Sequence, residues 1–180
     1  AWAGLCDTLL ADFAHNKRSN FQVFVEGEKA CGVALTLSNT SRISLDVYIA
    51  LGVLYREAGR LDESLEALLQ AKKINAESVR VLQELGITYA AAAAAAPDGG
   101  DPANYLKESA RYFSKAEDSL QAAVALNTGS WSAREELANF YFDTERFAKA
   151  VEVYDQVLAL NPGVTRALNG KGAALSWLGQ

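Results

Sequence analysis

The chain has 180 residues, of which 50% are hydrophobic and 22% are charged, a balance typical of a globular protein with a sizeable core. Its formal net charge of −5 argues against a nucleic-acid-binding surface, because neutralising phosphates requires clustered Lys and Arg. Its apolar stretches stay shorter than the roughly 18 residues that cross a membrane, and Asp7 and Asp12 make its first residues unlike a signal peptide. We therefore expect no nucleic-acid partner and no direct insertion into a membrane.

Residues 1–44 predict two helices joined by a long polar connection. The first helix is indicated by apolar residues at helical spacing, namely Trp2, Leu5, Cys6 and Leu9. Ser19 or Asn20 can cap the second helix, whose apolar stripe begins at Phe21. An extended segment over residues 21–25 is the alternative, because apolar residues also alternate there.

The two cysteines of the chain, Cys6 and Cys31, match no metal-binding spacing. The helical pattern places them close together, because Cys6 stands at the small position of the first helix and Cys31 lies beside the small residue Ala30. We expect buried free thiols, which behave as small hydrophobic groups. A disulfide is the alternative, and it would imply an oxidising compartment.

Residues 45–78 carry the most regular pattern of the chain. Two apolar stripes with small residues between them are formed by Tyr48, Leu51, Gly52, Tyr55, Ser64, Leu68 and Ala71. Gly59 is predicted to end the first helix of this unit in a left-handed conformation, which glycine adopts without steric cost. Residues 39–44 are predicted to form the turn that precedes the unit.

Residues 79–130 begin with the same pattern, carried by Leu82, Leu85, Gly86 and Tyr89. Residues 90–96 are all alanine, the best helix former, and are predicted to prolong the first helix. The turn Pro97-Asp98-Gly99-Gly100 ends it, and Pro102 opens a second helix after the capping Asp101. That helix is predicted to run to about Asn127, so that both helices project beyond their neighbours; a flexible alanine linker is the alternative.

Residues 131–164 repeat the regular pattern, and residues 165–180 begin it once more. The first of these units carries Leu137, Ala138, Tyr141, Ala150, Tyr154, Val157 and Pro162, and the second carries Leu168, Gly172 and Leu175. A finished solenoid has a polar capping repeat at its end, and the last segment has none. We therefore expect that the natural protein continues and that this apolar end causes weak self-association.

The pattern resembles the tetratricopeptide repeat family, whose signature of about 34 residues is aromatic-x-x-Leu-Gly-x-x-Tyr, then a small residue, an apolar residue, Ala and Pro. The resemblance implies an all-α fold, a right-handed α-solenoid of stacked antiparallel helix hairpins. It covers 1–180 as a single array: a stretched repeat (1–44), a regular repeat (45–78), a repeat with a projecting hairpin (79–130), a second regular repeat (131–164) and the first helix of a truncated repeat (165–180). Helices should approach closely where Gly52 faces Ser64, Gly86 faces Ala116 and Ala138 faces Ala150.

No group of residues forms a recognisable catalytic motif. The lone histidine, His15, lies in a polar connection. The sequence Asn169-Gly170-Lys171-Gly172 lacks the upstream Gly and the following Ser or Thr of a phosphate-binding loop, so its glycines are predicted to be close-packing positions in a helix. Glu135 and Glu136 are adjacent and do not share a helix face. We expect no enzyme activity, no cofactor and no metal site.

The resemblance implies that the first helix of each repeat lines a concave groove, which holds a peptide or a partner helix. The groove positions of the family correspond here to Asp46, Ile49, Val53, Arg56, Arg80, Gln83, Glu84, Ile87, Ser132, Glu135, Asn139, Phe142, Asp143, Arg166, Asn169 and Ala173. They supply no Lys and Asn clamp of the kind that the family's chaperone adaptors use for a C-terminal carboxylate. The asparagine ladder of the family's glycosyltransferases is also missing, since its positions hold Ala50, Glu84, Glu136 and Gly170.

These features predict a non-catalytic protein-interaction scaffold whose ligand, a protein or peptide, has basic and apolar character. The alternative is a regulatory or sensor segment of a larger bacterial signalling or secretion protein, such as a kinase or a cyclase. The sequences that flank this segment in its gene would distinguish the two. We expect a cytoplasmic protein, with a periplasmic or exported one as the alternative.

Overall fold

The computed structural model describes Cys6, Thr8 and residues 21–37, 40–95 and 102–179. Within these residues the chain forms eight α-helices and no strand. In chain order they are α1 (Phe21–Leu37), α2 (Ser41–Glu57), α3 (Leu61–Ile74), α4 (Val79–Ala94), α5 (Pro102–Leu126), α6 (Trp131–Asp143), α7 (Phe147–Leu160) and α8 (Thr165–Trp177). The predictions for His15, for the caps at Ser19 and Asn20 and for the turn at 97–101 lie outside the described residues, as does the first predicted helix apart from Cys6 and Thr8.

The helices stack in two layers. Each helix contacts the next along the chain, and α2, α4, α6 and α8 also contact one another in sequence. The helices α3, α5 and α7 make no such contact among themselves in the described part of the chain. The layer of α2, α4, α6 and α8, called the inner helices here, therefore lies on the concave side. The all-α solenoid of stacked helix hairpins predicted from the sequence is confirmed.

Hydroxyl side chains begin three of the inner helices. Thr40, Ser78 and Ser130 each accept a hydrogen bond from the backbone amide three residues later, at 3.4, 3.4 and 3.1 Å. Such a cap satisfies one of the amides that have no partner in the first turn of a helix. Because Thr40 caps α2, helix has already begun at Ser41, and the turn predicted over residues 39–44 is wrong from that residue on.

Two inner helices end in the same left-handed turn. Gly59 follows α2 with a φ of 78°, and the Arg60 amide donates to the Tyr55 carbonyl at 2.8 Å. This is the predicted end of the helix. Glu145 follows α6 with a φ of 59°, and the Arg146 amide donates to the Tyr141 carbonyl at 2.8 Å. A residue with a Cβ is strained in this conformation, whereas glycine is not.

Small residues let the helices of a hairpin approach closely. A Cβ on Gly52 would lie 2.5 Å from Leu68 Cγ, and a Cβ on Gly86 would lie 2.5 Å from Leu120 Cγ. The Ser64 hydroxyl also donates to the Gly52 carbonyl at 2.6 Å. The predicted close approach at these two glycines is confirmed.

The two glycines of α8 differ from each other. A Cβ on Gly170 would collide with the ring and hydroxyl of Tyr154, which is 2% exposed. Gly172 has no atom within 4 Å of the position that a Cβ would take. The prediction of close packing is therefore right for Gly170 and wrong for Gly172, which faces open space.

The helix α5 is the long one of the third hairpin. It has 25 residues, against 14 in each of α3 and α7. Its partner α4 has 16 residues and is no longer than α2, which has 17. Within α4, Ala93 is buried, and its carbonyl accepts a hydrogen bond of 2.7 Å from the Ser109 hydroxyl. The alanine run up to Ala94 is therefore helix packed on α5.

Cys6 and Cys31 form a disulfide. The expectation of free thiols is wrong, although the predicted proximity of the two residues is right. Their Cα atoms lie 5.0 Å apart, within the range that a disulfide spans. Spacing along helices predicts which residues meet, but it carries no information on the oxidation state of two thiols that do.

The last helix leaves an apolar face in solvent. Leu168, Trp177 and Leu178 are all exposed, and Trp177 is 71% exposed although its ring stacks on Phe147 with centroids 5.6 Å apart. The opposite face packs on α7 and α6. Self-association through the exposed face stays a prediction.

Candidate binding groove

The groove is the concave face formed by the four inner helices. Of the predicted positions, Asp46, Arg80, Asp143, Arg166, Asn169 and Ala173 are exposed, and Val53, Arg56, Gln83, Glu84, Ile87, Ser132, Asn139 and Phe142 are half-buried. Two positions are buried: Ile49 is 1% exposed and Glu135 is 5% exposed. Ile49 lies in the core with Leu85 of α4, so the prediction that it contacts a ligand is corrected.

Between α2 and α4 the groove is electrically neutral. Arg56 Nη1 donates a 2.7 Å hydrogen bond to Glu84 Oε2, and it lies 3.4 Å from the Thr88 hydroxyl. Thr88 is fully buried and shares a hydrogen bond with Ser64 at 3.3 Å. Arg56 and Glu84 thus neutralise each other, and their ion pair joins two neighbouring repeats.

Between α6 and α8 the negative charges of the groove outnumber the positive ones. Glu135 Oε2 lies 3.9 Å from Arg166 Nη1, and the Arg166 side chain is 71% exposed. Glu135 Oε1 has no hydrogen-bond partner within the described part of the chain. A buried carboxylate oxygen without a partner is costly, because it has lost its water.

Burial and nearby negative charge shift the pKa values of the neighbouring side chains. Burial, together with the charge of Glu135, raises the pKa of the Glu136 carboxyl. Desolvation raises the pKa of Asp143, although that side chain is exposed at the surface. Burial and the carboxylates of Asp143, Glu135 and Glu136 raise the pKa of Tyr154 to about 12. The Tyr154 hydroxyl donates to Asn139 Oδ1 at 2.8 Å, which fixes the amide on α6.

A cleft of about 420 Å³ opens between α4 and α6. Its apolar lining comes from Ile87, Ala90, Ala91, Ala94, Phe113, Leu120 and Phe140. The acidic residues Glu136 and Asp143 lie on its α6 side together with Asn139. The cleft therefore combines an apolar interior with a negatively charged edge.

The alanines and phenylalanines of this cleft were not among the predicted site residues. A signal for them exists in the sequence, since the run of alanines after Tyr89 removes bulk from one wall. The sequence pattern predicts only a projecting hairpin from that run. The groove positions of the family lie on single helices, whereas this cleft also takes Phe113 from the outer helix α5.

The comparison with protein families decides the type of repeat. Residues 45–78 and 132–163 match the tetratricopeptide repeat. These two segments are tetratricopeptide repeats. Both matched segments begin with an inner helix and end after an outer one, so the helix hairpins described above are the repeat units. No curated protein matches the chain in sequence.

Several solved structures share this tetratricopeptide fold. A MamA protein is 23% identical with a TM-score of 0.61 over 98% of this chain and 84% of its own. The first tetratricopeptide domain of Spaghetti (RPAP3), bound to the HSP90 peptide SRMEEVD, is 20% identical with a TM-score of 0.60. The match covers 78% of this chain and 97% of that domain. The O-GlcNAc transferase of Thermobaculum terrenum is 18% identical with a TM-score of 0.60. The match covers 77% of this chain and 23% of the transferase. At these identities the likeness establishes the fold alone.

Neither a metal centre nor a membrane span is found where the chain is described. No group of three or more His, Cys, Asp or Glu side chains in those residues could hold a metal ion. None of the eight helices is long and apolar enough to cross a bilayer.

Proposed function

We propose that this repeat array is a non-catalytic scaffold that holds a peptide or a partner helix of basic and apolar character in its groove. The observation that carries the proposal is the unbalanced negative charge around Glu135, Glu136 and Asp143 beside an apolar cleft. The RPAP3 domain, which shares the fold, is bound to a peptide, which supports a peptide as the type of ligand.

The ligand of this chain should differ in charge from the HSP90 peptide of that relative. The peptide SRMEEVD carries two glutamates and an aspartate, and such a segment would be repelled by the carboxylates of this groove. Basic residues would be attracted, and charge complementarity mainly raises the association rate and makes binding sensitive to salt. A basic segment is therefore the favoured partner.

A second role is supported by one comparison. The O-GlcNAc transferase matches this chain over only 23% of its own length, so arrays of this fold also occur as segments of larger enzymes. In such a protein the groove would hold a segment of the same polypeptide or of a regulatory partner. The binding chemistry proposed here would be the same.

The disulfide bears on the compartment in which the scaffold works. Cytosolic thiols are kept reduced, whereas structural disulfides persist in oxidising compartments. The Cys6–Cys31 bond therefore favours the periplasm or an exported protein over the cytoplasm expected from the sequence.

The proposal is tested by selecting peptides from a random displayed library against the intact chain. We expect the selected peptides to be enriched in Lys, Arg and apolar residues, and to protect backbone amides of α2, α4 and α6 from hydrogen exchange. Asp143→Lys should weaken their binding about tenfold or more, because like charges in contact are costly. Asp118→Lys, the same change at an exposed position of the outer helix α5, is the control and should leave affinity unchanged. Selection of acidic peptides, or protection confined to outer helices, would refute the proposal.

A further inference from the structure

We infer that the cleft between α4 and α6 is a subsite for a single arginine or lysine side chain of the bound segment. The inference rests on the proposed function and names the chemical group that anchors the ligand. The alkyl part of the side chain would lie in the apolar interior, and its cationic head would lie at the acidic edge.

The interior of the cleft suits an alkyl chain. Ile87 and Ala91 form the α4 wall, Phe140 forms the α6 wall and Phe113 reaches in from α5. Alanine at position 91 leaves room that a larger side chain would fill. Long cationic side chains bury their methylene stems on apolar surface while the charged head stays at a polar boundary, which is the geometry that this cleft offers.

The edge of the cleft suits a cation. Glu136 and Asp143 are seven residues apart on α6, close to two full turns, so both project toward the same side. Neither makes an ion pair or a hydrogen bond among the described residues. Arg56 and Arg166 act on Glu136 only at longer range, since Arg56 is held by Glu84 at 2.7 Å and Arg166 lies 3.9 Å from Glu135. The two carboxylates can therefore accept an external positive charge.

Glu135 adds an independent reason for a cationic ligand. It is 5% exposed and its Oε1 has no partner in the described part of the chain. Its charge contributes to the raised pKa of Glu136, so the two carboxylates act on each other. A cation bound at Glu136 offsets the repulsion between them. An acidic or purely apolar side chain would not.

The test uses small probes, so that it does not depend on which peptides are selected. N-acetyl-arginine amide is titrated into isotope-labelled protein, and the backbone amide resonances of Ile87, Ala91 and Phe140 are followed. The citrulline analogue has the same length without charge, and the norleucine analogue has only the alkyl chain. We expect saturable shifts at these residues with arginine, and affinity roughly tenfold lower for both analogues, the effect of one charge-assisted hydrogen bond.

Two variants separate charge from shape. Glu136→Gln removes the charge with little change of volume, and Ala91→Leu fills the cleft without changing charge; each should weaken arginine binding roughly tenfold. Asp118→Asn and Ala125→Leu, at exposed positions of α5, are the matched controls, and a cooperative thermal unfolding transition shows that each variant folds. Equal binding of arginine and norleucine, absence of shifts at tens of millimolar arginine, or full binding in Ala91→Leu would overturn the subsite. If the subsite is overturned but basic peptides still bind the groove, the proposed function stands. If the peptide selection fails but arginine still binds in the cleft, the subsite stands.

Discussion

Tyr141 of α6 donates its hydroxyl hydrogen to Glu117 Oε1 of α5 at 3.0 Å, which joins two consecutive repeats. Arg146 completes the arrangement. Its Nη1 donates to Glu117 Oε2 at 2.7 Å, and its guanidinium lies over the Tyr141 ring at 4.7 Å from the centroid. One carboxylate thus binds a phenol and a guanidinium that also stack on each other.

The same arrangement joins the first two repeats. Tyr55 of α2 donates to Glu28 Oε1 of α1 at 2.7 Å, and Arg60 lies over the Tyr55 ring at 4.8 Å and donates to Glu28 at 3.4 Å. In both places the arginine directly follows the left-handed turn at the end of an inner helix. A repeated polar contact of this kind fixes how one hairpin sits on the next.

Replacing Arg146 with alanine should therefore lower the free energy of unfolding by about 1–2 kcal/mol, the usual effect of losing a hydrogen bond to a partly buried charged group. Urea denaturation measures the change. Arg111→Ala is the matched control, since Arg111 makes an exposed pair with Glu108 on the same helix, and such pairs contribute about 0–1 kcal/mol. Equal losses in the two variants would contradict the structural role of Arg146.

A pair of glycine variants tests the close approach of helices. Gly86→Ala should destabilise the protein, because overpacking against Leu120 costs about 1–3 kcal/mol and exceeds the gain of about 1 kcal/mol that alanine brings to a helix. Gly172→Ala faces open space and should keep that gain. Thermal unfolding should therefore shift in opposite directions for the two variants. A shift in the same direction would mean that the hairpin can widen around Gly86 at little cost.

The positions of the helices could be predicted from the sequence for a simple reason. Apolar side chains at helical spacing must face a neighbour, and the small residues Gly52 and Gly86 mark where that neighbour comes closest. Both are local properties of the sequence. The acidic character of the groove around α6 was equally visible, because Glu136 and Asp143 are acidic residues wherever the helices lie.

What the sequence could not show depends on how one helix sits on another. Ile49 belongs to the groove by its position in the repeat, yet it is buried in a core that residues of α3 and α4 share. The cleft needs Phe113 from an outer helix, and no pattern within one inner helix indicates that contribution. The disulfide depends on redox chemistry, which spacing does not report.

Glu145 gives the third prediction. It occupies a left-handed conformation, with a φ of 59°, in which a side chain costs about 1–2 kcal/mol. Glu145→Gly should raise the free energy of unfolding by about 0.5–1 kcal/mol, because glycine removes the strain while increasing the freedom of the unfolded chain. Gly59→Ala makes the reverse change in the equivalent turn and should destabilise. If Glu145→Gly lowered the stability, an interaction of the Glu145 side chain would have to outweigh the strain.

The disulfide gives the fourth prediction. Closing a loop across a sequence separation of 25 should stabilise the protein by about 2–4 kcal/mol. Dithiothreitol should lower the unfolding temperature of the wild-type protein, and it should leave the Cys6→Ser, Cys31→Ser double variant unchanged. Thiol titration of the unfolded, unreduced protein should find no free thiol. Two reactive thiols in protein purified without reductant would mean that the bond is absent in solution.

The last prediction concerns pH, because the carboxyls of Glu117 and Glu136 have pKa values shifted in opposite directions. Burial raises the pKa of Glu117, but hydrogen bonds from Arg146 and Tyr141 outweigh it and hold the pKa below its usual value. Its stabilisation is therefore complete above the unfolded value of about 4.3, and it is lost as pH falls through the folded pKa. Glu136 has a raised pKa, so its contribution is complete below about 4.3 and is lost as pH rises through the folded pKa.

The two isosteric variants should consequently behave in opposite ways at neutral pH. Glu117→Gln should lower the free energy of unfolding by about 1–2 kcal/mol, whereas Glu136→Gln should raise it by about 0.5–1 kcal/mol, since it removes one unfavourable charge. The Glu136→Gln difference should shrink as pH falls through the raised pKa of Glu136 toward about 4.3, whereas the Glu117→Gln difference should shrink only below about 4.3. Glu152→Gln, at an exposed position of α7, is the control and should match wild type throughout. Because Glu136→Gln should also weaken arginine binding, a variant that is more stable and binds less well would show that this carboxylate is kept for the ligand at the expense of the fold. A less stable Glu136→Gln protein at neutral pH would show instead that the carboxylate supports the fold.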